Sequence, residues 1–78
     1  MQVMADAPLK VIRLSLGVSQ EEVARRTRSV RMGTVRNAES GKRVTYDTAT
    51  QILEAINSLL EEKGQAKVTL EDLGLTLY

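Results

Sequence analysis

The chain has 78 residues and no cysteine, so it is expected to form one domain without disulfides or thiolate metal sites. It also lacks histidine, tryptophan and phenylalanine, which leaves leucine, valine, isoleucine and alanine to build the core and suits a compact helical bundle. The net charge of +1 hides an asymmetry: residues 1–46 carry nine Lys+Arg against four Asp+Glu, and residues 47–78 carry two against six. A basic front half and an acidic back half give the domain one face suited to a polyanion. No apolar run approaches the roughly 20 residues that span a bilayer. Residues 1–8 are too short and too polar for a signal peptide. The expectation is a soluble cytoplasmic protein, with residues 1–7 as a flexible N-terminal arm.

A first helix is predicted from Pro8, with Asp6 or Ala7 at its N-cap and the proline at the first helical position, where a missing N–H is no loss. Leu9, Ile12 and Leu16 share one of its faces, and Gly17 ends it. Ser19-x-x-Glu22 is a capping box for a second helix, the hydroxyl reaching the N3 amide and the carboxylate reaching back. Val23, Ala24 and Thr27 lie on its inner side. Arg28-Ser29-Val30 is a turn, with Val30 tucked beneath it. A third helix is predicted over residues 31–40, with Val35 and Ala38 inward and Gly41 as its stop. Gly33 near its start weakens it by up to ~1 kcal/mol relative to alanine. Thr45 caps a fourth and longest helix, roughly residues 46–63. Its stripe of Tyr46, Ala49, Ile52, Leu53, Ile56, Leu59 and Leu60 forms the main wall of the core. Thr69-x-x-Asp72 repeats the capping pattern for one short turn over residues 70–73. "GLTLY" at 74–78 reads as a short extended tail.

The stretch "SQEEVARRTRSVRMGTVRNAESGKR", residues 19–43, holds seven of the eleven basic residues. Two short helices joined by a tight turn, with the small Ala24 where the second passes over the first, make a helix-turn-helix arrangement. With Leu9, Ile12-Arg13, "GVSQEEVA" at 17–24, "TV" at 34–35 and "ESGKR" at 39–43, the chain resembles the Cro/CI-type (lambda-repressor-like, XRE) family of DNA-binding domains over roughly residues 8–64. The departure is in the turn. Between Ala24 and Val35 there is one residue more than the usual family pattern, and Arg28 or Ser29 replaces the customary glycine. An added residue would rotate a continuous helix by ~100°. Val35, Ala38 and Glu39 return in register, so the loop is expected to absorb it.

The resemblance implies an all-α, compact four-to-five-helix lambda-repressor-like bundle over residues 8–73, followed by the tail. It places the third helix in the major groove, where the N-terminal half of such a helix meets base edges. Arg36 would pair with guanine and Asn37 with adenine, with Gly33 and Arg31 beside them. Met32 would either touch a thymine methyl or fill a gap in the loop. Gln20, Arg28, Lys42 and Arg43 match phosphate-contacting positions. Arg13 and Glu39 match a structural ion pair between the first helix and the end of the third. Arg25, Arg26 and Arg28 would either contact phosphate or simply keep the domain soluble, with Arg28 the best placed for phosphate because it is in the turn.

The implied function is a sequence-specific, double-stranded-DNA-binding transcriptional regulator of bacterial or phage type, acting as a small repressor at its operator. The alternative is an antitoxin or protein-interaction module with a toxin as partner. Nothing supports an enzyme, since no histidine or cysteine supplies a base or nucleophile and no phosphate loop or carboxylate cluster is present. No cofactor, metal or membrane is expected. A homodimer is expected, built on the outer edge of the fourth helix and residues 68–78. Leu75, Leu77 and Tyr78 would pair as a strand with their symmetry mates or fold back onto Leu59 and Leu60.

Overall fold

The computed structural model describes residues 6–78. Its order is α1 (Pro8–Ser15), α2 (Gln20–Arg25), α3 (Met32–Glu39), β1 (Arg43–Val44), α4 (Tyr46–Glu62), α5 (Leu70–Leu73) and β2 (Thr76–Leu77). The fold is a small helical bundle with one two-stranded pair. Residues 1–5 of the expected arm lie outside the described residues. Ala7, at the end of that arm, is buried, and its N–H donates to the Glu39 carbonyl at 2.8 Å.

Helical spacing of apolar residues closes the bundle. Leu9, Val23, Val35, Ala38, Ala49, Ile52, Ile56 and Leu73 are fully buried together, and Val30 is buried beneath the turn between α2 and α3. Tyr46 departs from the expected stripe of α4. It is the first helical residue and stands 67% exposed, because the core begins only one turn later at Ala49; Ala55 supplies an inward position instead. Thr45 caps α4 by accepting from the Thr48 amide. The capping box of α2 is only half formed: Ser19 Oγ accepts from the Glu22 amide at 3.0 Å, but the Glu22 carboxylate turns to Arg25 and Arg26, one helical turn along. Thr69 and Asp72, with no cation competing, form both halves.

The tail returns to its own chain. β2 pairs in parallel with β1 of its own chain, Arg43 opposite Thr76 and Val44 opposite Leu77, and the Tyr78 amide donates to the Val44 carbonyl at 3.1 Å. Gly74 makes this return possible. Its φ of +63° suits glycine, and a Cβ there would overlap the ring of Pro8. Upstream, Asn57 on α4 holds the linker like a neighbouring strand, donating to the Val68 carbonyl at 3.0 Å and accepting from its amide at 2.8 Å.

The first three helices meet at one carboxylate. Glu39 Oε2 lies 2.5 Å from Arg13 Nε, while Oε1 accepts from Arg13 Nη2 at 3.1 Å and from Gln20 Nε2 at 2.9 Å. Arg13 Nη1 donates to the Val18 carbonyl at 2.9 Å. Arg13 and Glu39 are buried at 8% and 2% exposure, where a charge is tolerable only when paired and hydrogen-bonded. Arg13→Ala and Glu39→Ala are each expected to destabilise the fold by about 3–5 kcal/mol, since each strands a buried charge. The double variant should lose less than the sum of the two. Urea unfolding of the four proteins measures this, and strict additivity would show that the two side chains are not coupled.

Candidate nucleic-acid interface

Residues 26–31 connect α2 to α3. Arg31 is the N-cap, in extended conformation and without a side-chain cap, so the first residue of α3 proper is Met32. The amides of residues 27–30 in the turn all find partners. The Thr27 amide donates to the Ala24 carbonyl and the Val30 amide to Thr27 Oγ1, while those of Arg28 and Ser29 donate to Gln51 Oε1 on α4 at 3.1 and 3.0 Å.

With Val35, Ala38 and Glu39 buried, helical geometry turns Met32, Gly33, Arg36 and Asn37 to the opposite side on successive turns, and all four are exposed. Met32 is 41% exposed. A Cβ on Gly33 would meet nothing within 4 Å, so the chain's own packing does not require glycine there. Asn37 also anchors the segment beyond the helix, its carbonyl accepting from the Lys42 amide at 3.0 Å. Val44 in β1 points inward and Arg43 outward. Lys42 and Arg43 therefore leave α3 on a segment braced by Asn37 on one side and by β2 on the other.

The basic residues divide into two groups. Arg25 pairs with Glu21 and Glu22, and Arg26 with Glu22 and Glu62. The hydrogen bonds from Arg26 hold the Glu62 carboxyl below its ordinary range and raise the guanidinium in turn. Arg28, expected among the phosphate contacts, lies 3.7 Å from both Asp47 and Glu54 on α4. Lys10, Arg13 and Lys67 pair with Asp6, Glu39 and Glu61. Among the described residues, Arg31, Arg36, Lys42, Arg43 and Lys63 carry no carboxylate partner, and the first four of these border α3. Arg31, Met32, Gly33, Arg36, Asn37, Lys42 and Arg43 are all exposed, on α3 or within four residues of its ends, as is Arg28 beside its two carboxylates. Gln20 is half-buried, and its Nε2 donates to Glu39 Oε1 at 2.9 Å.

Sequence reasoning missed Gln51, the buried polar residue that holds the turn. The signals available for it were its place beside the apolar stripe and its i,i+4 spacing from Asp47, to which Nε2 donates at 2.9 Å.

The helix-turn-helix family model HTH_3 matches residues 9–63, which takes in α1 to α4. Neither a curated protein nor a solved structure matches the chain. No helix among the described residues is long and apolar enough to cross a membrane. With a match over more than half its length, laid on two short helices and the braced turn between them, the chain belongs to the XRE/Cro–CI-type helix-turn-helix family of DNA-binding transcription regulators.

Proposed function

We propose that the chain is a repressor-type regulator that reads duplex DNA with the exposed side of α3 and grips phosphates with Lys42 and Arg43. The observation that carries this reading is the distribution of cations: those of α2 and the turn face carboxylates, whereas Arg31, Arg36, Lys42 and Arg43 face none among the described residues. A helix fits the major groove, where an arginine fork can donate twice to guanine and an asparagine can pair with adenine. Arg36 and Asn37 take those roles, Met32 meets a thymine methyl, and Arg31 stands at the edge of the groove. Gly33 leaves room for the backbone to come close. Gln20 spends one amide hydrogen on Glu39 and keeps the other for a phosphate oxygen. Arg28 is left out of the phosphate set because Asp47 and Glu54 already face it.

One recognition helix covers only a few base pairs, so two copies on paired half-sites complete the reading. The outer edge of β2, with Leu77 and the 83%-exposed Tyr78, is the surface we assign to that contact. Leu75 is half-buried against its own core and supports the tail from within.

Affinity for a random duplex should fall steeply with salt, because each neutralised phosphate releases counterions. Removing either Lys42 or Arg43 should lower the slope of log affinity against log salt by about one unit. A charge-reversed Lys42/Arg43 variant that binds at full strength would remove the clamp.

Arg36→Ala should behave differently, losing about 1–3 kcal/mol on the preferred site while random duplex is bound almost as before. Competition binding against both duplexes reads this directly. Equal losses on the two would move Arg36 from the base edges to the backbone.

A further inference from the structure

Gln51 is 3% exposed and lies beside Ala49 and Ile52 on α4, where an apolar side chain would fill the same space. Its amide instead makes four hydrogen bonds, three to the turn and one to Asp47 on its own helix. Oε1 accepts from the Arg28 and Ser29 amides, and Nε2 donates to Ser29 Oγ at 3.1 Å and to Asp47 Oδ2 at 2.9 Å. Asp47 fixes which way the amide faces. A carboxylate only accepts, so the NH2 must point to it and the oxygen must point to the turn.

Neither α2 nor the turn itself satisfies these two backbone N–H groups. Gln51 Oε1 is buried and accepts from both, so abandoning these two bonds would strand a buried acceptor and free the exposed turn from α4. α3 begins three residues after Ser29, behind an N-cap that makes no side-chain bond. Its starting point is therefore set by the turn and not by a cap of its own. A start displaced by one residue would swing every side chain of α3 by ~100° about its axis. Even a small shift matters, because a bidentate pair to a base edge holds only within narrow hydrogen-bonding limits.

We propose that Gln51 is a positioning residue for base reading: from α4 it fixes the turn, and with it the phase at which α3 presents Arg36 and Asn37 to DNA. It does not touch DNA itself. This rests on the reading of α3 as the recognition helix.

The test compares a preferred site, selected from random duplexes, with a random duplex at one salt concentration. The proteins are the wild-type chain, Gln51→Ala, Gln51→Glu and Gln51→Glu/Asp47→Asn, each held at a temperature where circular dichroism shows it folded. Gln51→Ala should lower the preference for the selected site by about tenfold, the scale of one base-edge pair. Binding to random duplex and its salt slope should stay as in the wild type. Gln51→Glu sets two carboxylates side by side and should lose preference too. The double variant reverses donor and acceptor between positions 47 and 51, keeps acceptors for the turn amides, and should regain most of the preference. This rescue arm decides the matter if Gln51→Ala does not fold. An undiminished preference in Gln51→Ala, equal losses on both duplexes, or a folded double variant no better than Gln51→Glu would overturn the inference while leaving the functional reading in place. A wild-type chain with no duplex preference would overturn that reading, and this inference with it.

Discussion

The arrangement of this domain depends on one buried carboxylate. Glu39 is the last residue of α3, where the negative end of the helix dipole would otherwise repel it. Arg13 from α1 and Gln20 from α2 satisfy it, and Arg13 goes on to the Val18 carbonyl between those two helices. An eight-residue helix is too short to hold itself in water. α3 keeps its shape through Val35 and Ala38 on one face and through Glu39 at its end. The amide of Ala7 donates to the backbone carbonyl of the same residue, so the entry into α1 is fixed at this point as well. Gln51 supplies the corresponding hold at the other end of α3, through the turn. The helix is thus set at both ends by side chains from other helices.

That framework decides the electrostatics. A chain of net charge +1 has little excess charge to offer a polyanion, so the placement of its acids matters more than the number of its cations. Glu21, Glu22 and Glu62 face the arginines of α2, and Asp47 and Glu54 face Arg28. The one acid of α3 is turned inward and spent on Arg13. What is left on the outer side of α3 and the segment after it is positive, and a polar asparagine and an open glycine lie between the charges. The tail then braces that segment, since β2 pairs with the residues that include Arg43.

Much of this was legible in the sequence. The helices could be read from caps and spacing: proline at the start of α1, Ser19, Thr45 and Thr69 as acceptors, and apolar residues recurring each turn. The outer side of α3 could be read from its register with Val35 and Ala38, and the Arg13–Glu39 geometry matches what the family pattern implies. Interactions between segments distant in sequence were not legible. The tail's alternation pointed to an extended conformation, but a two-residue strand carries no signal for its partner, and β1 lies about thirty residues away. Arg28 reads as a free cation until folding brings Asp47 and Glu54 beside it. Tyr46 shares the periodicity of α4, yet periodicity does not say where the core begins. The hold of Gln51 on the turn is invisible for the same reason, because a glutamine beside an apolar stripe looks like a surface residue until its partners are placed.

On this reading nucleic acid meets α3 and the segment after it, not the acidic back of the molecule. Amide chemical-shift mapping of the isotope-labelled chain, titrated with a random duplex at low salt, tests this most directly. The largest changes should fall at residues 31–37 and 42–43, with the exposed side of α4 from Glu54 to Glu62 and the short helix α5 nearly unmoved. Changes concentrated on α4, α5 or the tail, with α3 silent, would contradict it.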